Sequence, residues 1–376
     1  MMRDEVYIVG DEVISPLGMG SAVNFQRLLD GHTAIAPVMD TRLCDHPIHA
    51  ARMDEAQWTP LVRDAGRYTR LEKLFILALQ KLIDKHAIPL DKGTLVVLST
   101  TKGNIGLLGN PASTFPQQRA TIPAMAGAIQ HYFGFENPLI PVSNACISGS
   151  LAIAVARRLL RHDRRYKRAI VVGGDELSKF IVSGFDAFQA LDDGPCRPFD
   201  RNRKGLNLGE AVAAVYLSTE PVTGAMKIAG VGTFNDANHI SGPSRTGEGL
   251  YLSITEAMRE AGAVTPGFLS AHGTATPYND EMEAIAFERC GLSTIPTHSL
   301  KGYFGHTLGA SGLLETVMAI HSLTNNMLIP SPGFAHQGTS RPLNIITQRT
   351  PGPLRSFLKT ASGFGGCNIA TMIQNG

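Results

Sequence analysis

The sequence predicts a layered α/β protein, and two observations carry that prediction. Apolar runs of strand length recur at Val6–Val9, Leu95–Leu98, Leu139–Val142, Ala169–Val172, Ala211–Leu217 and Met226–Val231. They lack the in–out alternation of a half-solvated strand, as strands covered on both faces do. Between several of them lie stretches of helical period. Tyr68–Lys85 is the clearest, with Leu71, Leu74, Phe75, Ala78, Leu82 and Ile83 on one broad face. Glycine (39) and proline (22) punctuate the chain throughout, and no stretch has linker or low-complexity composition.

Composition narrows the class. The 376 residues are 43% hydrophobic and 18% charged, enough apolar material for a sizeable core. A formal net charge of +2 gives no global field for nucleic acid. The five cysteines are scattered, with no C-x-x-C pair for a zinc ribbon or thioredoxin-type site. Asp4 and Glu5 stand where a signal peptide would be basic and then apolar. No uncharged run approaches the roughly 18 residues of a membrane span. A cytoplasmic location is expected, with neither nucleic acid nor membrane as partner.

Length suggests two units. A division at Pro221–Gly224 gives halves of 1–220 and 221–376. Val142–Ala152 and Thr360–Ala370 echo one another, each running from a strand through small residues and a cysteine to an apolar stretch. That fits two similar halves, each sending a loop to one site.

Four stretches could carry chemistry. In Val142–Leu160 (VSNACISGSLAIAVARRLL), Cys146 follows a strand and precedes a helix. A cysteine at such an elbow is favoured as thiolate by the helix N-terminus; the other reading is a packed structural thiol. Ser270–Asp280 sets His272 in a loop with Thr274 and Thr276, whose hydroxyls suit a polar, amide-bearing ligand. Leu300–Gly312 carries Lys301 and a second histidine, His306, with Glu315 just beyond. His306 is read equally as core or as catalytic, and neither histidine has metal-ligand spacing. Ser362–Asn368 places Phe364 between glycines: either a hairpin turn, or a backbone N–H for an oxyanion hole. A basic cluster, Arg157, Arg158, Arg161, Arg164, Arg165, Lys167 and Arg168, is a solvated helix end or a dock for an acidic partner.

Together the stretches resemble the β-ketoacyl-acyl carrier protein synthases of the thiolase superfamily. The resemblance runs in order through Glu5–Ile35 with its S-P-x-G turn, Asn144-Ala145-Cys146, R-P-F-D…G-E at Arg197–Glu210, H-G-T-x-T-P at His272–Pro277, K-x-x-x-G-H-x-x-G-A-x-G at Lys301–Gly312 and G-F-G-G at Gly363–Gly366. It implies a thiolase-like fold of five layers, α-β-α-β-α, from two pseudo-duplicated halves. It implies that Cys146 accepts an acyl group and that His272 and His306 bind malonyl thioester and assist its decarboxylation, with a Claisen condensation following. Lys301, Glu315 and Glu283 would organise charge around the histidines. The N–H groups of Cys146 and Phe364 would form the oxyanion hole, Phe364 would gate the acyl pocket, and Thr274 and Thr276 would hold phosphopantetheine. No metal or resident cofactor is implied. An acyl carrier protein would bring the pantetheine arm, and the chain would pair as a homodimer or with a related ketosynthase or chain-length-factor subunit.

The resemblance also separates subfamilies. Initiating synthases usually pair Cys and His with Asn, whereas the third member here is His306. Chain-length factors usually lack the cysteine, which is present. Thiolases lack H-G-T-x-T-P, so Cys367 is read as structural. Two departures stand out. Ser99–Asn104 replaces a glycine-rich turn, and Ser362 stands where many elongating members have a bulky aromatic. They point to a specialised type II enzyme, of the aryl-polyene or another specialised pathway. The alternatives are a non-catalytic chain-length-factor-like subunit and a thiolase.

Overall fold

The computed structural model describes residues 5–108, 110, 112–238 and 241–376; Asp4 lies outside them. Ten strands form one continuous sheet path in two sets of five. The first set is β1 (Tyr7–Ser15), β2 (Thr94–Ser99), β3 (Ile140–Val142), β4 (Arg168–Asp175) and β5 (Ala211–Ser218). The second is β6 (Met226–Asn235), β7 (Phe268–Ser270), β8 (Thr297–His298), β9 (Ser356–Gly363) and β10 (Cys367–Asn375). Spatial order is β3-β2-β4-β5-β1 in the first set and β8-β7-β9-β10-β6 in the second. The polarity matches too: β2 is parallel to β3 and β4, and β7 to β8 and β9, while the remaining pairs in each set are antiparallel. Among the described residues the strands of the two sets pair where Tyr7 and Ile8 meet Lys227 and Met226.

Nine α-helices are described: α1 (Ser21–Leu29), α2 (Arg70–His86), α3 (Ile122–Phe133), α4 (Ser148–His162), α5 (Lys179–Ala187), α6 (Glu248–Glu260), α7 (Pro277–Arg289), α8 (Lys301–Phe304) and α9 (Ser311–Thr324). Helices α2 and α3 cover the outer face of the first set, and α6 and α7 that of the second. Helices α4 and α9 lie between, and their core mixes Leu95, Val97, Val171 and Val215 of the first set with Phe268 and Phe357 of the second. This is the α-β-α-β-α layering that the resemblance implies. Among the described residues no helix is long and apolar enough to cross a membrane.

Helix α2 starts one residue after Thr69, whose side chain and Glu72 form a capping box. Strand β3 is an edge strand and only partly buried, not the covered strand its apolar letters suggest. Strand β1 runs six residues beyond Val9, through Asp11 and Glu12. The echo between the two cysteine stretches does not mark equivalent elements. Thr360–Ala370 is the β9–β10 hairpin, whereas Val142–Ala152 leads from the third strand of its set into a central helix. The matching segment in the second set runs from β8 to α9 and carries Lys301 and His306.

Candidate active site

Cys146 lies on the loop between β3 and α4. Ala145 holds a left-handed φ of 43°. The turn is tied by Ser148, which accepts from the Asn144 N–H at 2.8 Å and donates to the Ala145 carbonyl at 2.6 Å. Cys146 precedes the first helical residue by two positions and is buried. Burial here opposes the thiolate that the helix N-terminus would favour. Burial, reinforced by Cys367 nearby, pushes the Cys146 thiol up to about 12, and the Lys301 charge does not reverse this.

His272 follows β7, and Glu283 of α7 fixes its backbone. The carboxylate accepts from the His272 N–H at 2.8 Å and the Gly273 N–H at 2.6 Å, and also from Asn279 and Thr360. Burial pushes Glu283 up to about 7 against these donors. Asp280, a turn earlier on α7, accepts from the Thr274, Ala275 and Phe199 N–H groups at 2.9, 3.2 and 2.7 Å. Together the two acids hold the four successive N–H groups from His272 to Ala275.

His306 is clamped by the chain preceding β5: its N–H donates to the Asn207 carbonyl at 2.7 Å, and its own carbonyl accepts from Gly209 at 3.0 Å. A side chain at Gly209 would meet the Phe304 carbonyl oxygen at 2.0 Å, so the glycine of the G-E pair lets this segment press against the His306 loop. Its neighbour Glu210 binds Arg70 through both oxygens at 2.9 and 2.8 Å.

The two imidazoles are 5.2 Å apart between ring centroids, at 83°. Burial, then the charge of Lys301, holds both well below the ordinary histidine value, so both are neutral. Their tautomers follow from their partners. The Lys301 ammonium, 3.3 Å from His272 Nδ1, can only donate, so the His272 proton sits on Nε2. The Leu308 N–H donates to His306 Nδ1 at 3.3 Å, with the same consequence. His306 Nε2 has no partner among the described residues. Lys301 also donates to the His272 carbonyl at 2.6 Å and to Glu315 Oε1 at 2.7 Å. Burial alone would raise Glu315, but the ammoniums of Lys301 and Lys359 outweigh it and bring the carboxyl to about 2.

Cys146, His272 and His306 line one cavity of about 480 Å³. Thr274, Thr276 and Phe364 line it too, and the two threonine hydroxyls are 2.8 Å apart. Phe364, partly exposed in the β9–β10 turn, packs on Phe185 and Phe188 at 5.7 and 5.3 Å. Lys301, Glu315 and Glu283 stand behind the histidines. Cys367 is buried beside the Cys146 loop, its thiol 3.9 Å from the Asn144 carbonyl. Sequence reasoning missed Asp280 and Lys359. Asp280 could have been found as the acid in the first turn of the helix after H-G-T-x-T-P, and Lys359 as the one charge inside the apolar run Phe357–Ala361.

Part of the basic cluster is tied to acids, while Arg158, Arg164, Arg165 and Lys167 are exposed. Arg157 is buried, and it forks onto Glu260 at 2.9 and 3.0 Å. Arg161 reaches the same carboxylate at 2.7 Å, Arg165 pairs with Asp163, and Arg168 pairs with Asp91.

The fold and its buried Cys–His–His cavity define a thiolase-like acyl-transferring enzyme. The family model described as beta-ketoacyl synthase, N-terminal domain, matches residues 3–222, and the one described as beta-ketoacyl synthase, C-terminal domain, matches 225–335. The chain belongs to the β-ketoacyl synthase family. It is 25% identical over 407 residues to 3-oxoacyl-acyl-carrier-protein synthase 2 of Coxiella burnetii, covering 98% of each chain. It is 30% identical over 266 residues to the Vibrio cholerae protein of the same name, covering 65% of this chain and 64% of that one. Among solved structures it resembles the complex of a ketosynthase with its chain length factor from Xenorhabdus doucetiae (TM-score 0.86, 24% identity, 99% and 98% of the two chains). It also resembles the ishigamide ketosynthase/chain length factor (TM-score 0.87, 22% identity, 99% of each).

Proposed function

We propose that the protein elongates an acyl chain by decarboxylative Claisen condensation, in a fatty-acid or polyketide/polyene pathway. The observation that carries this is the pair of neutral imidazoles, each with its proton on Nε2, lining one cavity with Cys146. In the first half-reaction the Cys146 thiol exchanges with an acyl thioester, forming acyl-Cys146 and releasing the carrier thiol. Malonyl thioester then loses CO2, and the His272 and His306 Nε2–H groups donate to the enolate oxygen that develops. Two neutral donors suit this step, because a charged imidazolium would surrender its proton and quench the carbon nucleophile. The enolate carbon attacks the acyl carbonyl, the Cys146 and Phe364 N–H groups receive the oxyanion, and collapse returns Cys146 with a β-ketoacyl product on the carrier.

Thr274 and Thr276 would hold the pantetheine arm, which arrives on an acyl carrier protein, so no resident cofactor or metal is required. The halves 1–220 and 221–376 supply the cysteine and the histidines respectively. The likeness to ketosynthase–chain length factor complexes supports pairing with a related subunit; a homodimer is the other arrangement. A type II pathway, aryl-polyene or another specialised one, and a cytoplasmic location complete this reading.

The test supplies acyl-carrier and malonyl-carrier protein and follows β-ketoacyl product by mass spectrometry. Product and an acyl adduct on Cys146 are expected, and both disappear in Cys146→Ala. Full activity of a purified complex carrying Cys146→Ala would instead make the chain a chain-length-factor-like subunit. Cleavage of acetoacetyl-CoA by free coenzyme A would make it a thiolase.

A further inference from the structure

Lys359 is a fully buried ammonium on β9 that none of the steps above uses. Its Nζ lies 2.5 Å from Glu315 Oε2 and donates to the main-chain carbonyls of Ser270 at 3.1 Å and Ala271 at 3.2 Å. Lys301 takes the next carbonyl, that of His272, and the other oxygen of Glu315. Three successive carbonyls leading into His272 thus curl around two cations that share one carboxylate. Adjacent residues of β9 hold both acids behind the histidines: Lys359 binds Glu315, and Thr360 donates to Glu283 at 3.0 Å.

Two carbonyls and one carboxylate oxygen surround Lys359 Nζ, and the single negative charge among them is already shared with Lys301, so the site matches one positive charge and not two. We propose that Lys359 is a built-in monovalent cation, a positioning residue that fixes the backbone entering His272 and completes the charge around Glu315. Removing its side chain leaves a buried site whose free carbonyls and half-paired carboxylate would bind ammonium, methylammonium or potassium. The proposal rests on the condensing reading for its kinetic consequence, but not for the cation site itself.

Lys359→Ala and Lys359→Met separate the possibilities. In Lys359→Ala, kcat should fall on the order of 10²-fold with KM little changed, as expected when a catalytic group is slightly misplaced. Added ammonium, methylammonium or potassium chloride should restore it saturably, relative to tetramethylammonium chloride at equal ionic strength. Lys359→Met fills the space with apolar atoms and should not be rescued, and the wild type should not respond to any of these ions. The midpoint of thermal unfolding gives a second readout independent of catalysis: ammonium or potassium should raise it in Lys359→Ala alone. A folded Lys359→Ala that keeps wild-type kcat without added cation would overturn the positioning role. An absence of both rescue and midpoint shift would overturn the cation site. A midpoint shift in a protein whose wild type makes no β-ketoacyl product would leave the cation site standing and remove the condensing reading alone.

Discussion

At the residue scale, the cavity's ionisation states are the property most open to measurement. A Cys146 thiol pushed up to about 12 is almost wholly protonated at neutral pH. Its alkylation by iodoacetamide, read on the Cys146 peptide by mass spectrometry, should rise about tenfold per unit between pH 7 and 9, since only the thiolate reacts. A plateau below pH 8 would show a stabilised thiolate instead. The histidines make the opposite kind of prediction. Both are neutral when folded but take protons near pH 6.5 once unfolded. Below that value the unfolded chain binds more protons, so stability is lost as pH falls. His306→Asn removes one such group. The drop in urea-unfolding free energy between pH 6.5 and 5.5 should then shrink by about 1 kcal/mol, and an unchanged drop would put charge on native His306. His272 is legible from its string of small and hydroxyl residues, which packing alone does not require; Cys146 and His306, ambiguous in their own stretches, become legible only when the motifs are taken together in order. Lys359 is not: a lysine in an apolar strand makes sense only beside Glu315, and that pairing exists only in the folded chain.

At the element scale, helices were easier to read than strands. The period of α2 marks its buried face directly, and Thr69 with Glu72 marks its start. Strand β1 extends past its apolar run Val6–Val9 through Asp11 and Glu12, two residue types that normally face solvent. Asp11 is in fact matched by His321 of α9 at 3.2 Å, and Glu12 is buried. Arg157 and Arg161 of α4 read as solvent residues for the same reason, although Glu260 holds both. Glu260 is the last residue of α6, and it ties α4 to the second set by accepting from Arg157, Arg161 and the Val231 N–H at 2.9 Å. Glu260→Gln should leave Arg157 buried and short of charge. The expected cost is on the order of 1–3 kcal/mol, between the values for exposed and buried pairs, read as a lower urea midpoint. Charge reversal at Arg161 should likewise lower stability whatever it does to carrier binding. A neutral outcome for both would mean that water replaces Glu260 at no cost.

At the scale of the whole molecule, the two strand sets share one interior. Twelve of the fourteen residues of α9 are buried, and the helix packs on β1, β4 and β5 of the first set as well as β7 and β9 of its own. Helix α4 reaches across in the same way to β10. Where they meet, a side chain at Gly149 would come within 2.8 Å of the Gly309 carbonyl oxygen and 2.9 Å of the Leu313 N–H. The backbones of the cysteine-bearing and glutamate-bearing segments therefore touch with nothing between them. Neither set can open without exposing the other's central helix, so heating should give a single calorimetric transition whose van't Hoff and calorimetric enthalpies agree for each cooperative unit. Gly149→Ala, which must push that contact apart, should lower the midpoint of this transition without splitting it, at a cost of about 1–3 kcal/mol. Two separated transitions, or a fragment 1–220 that folds alone with its central face uncovered, would show instead that the sets are independent units that merely meet at the cavity.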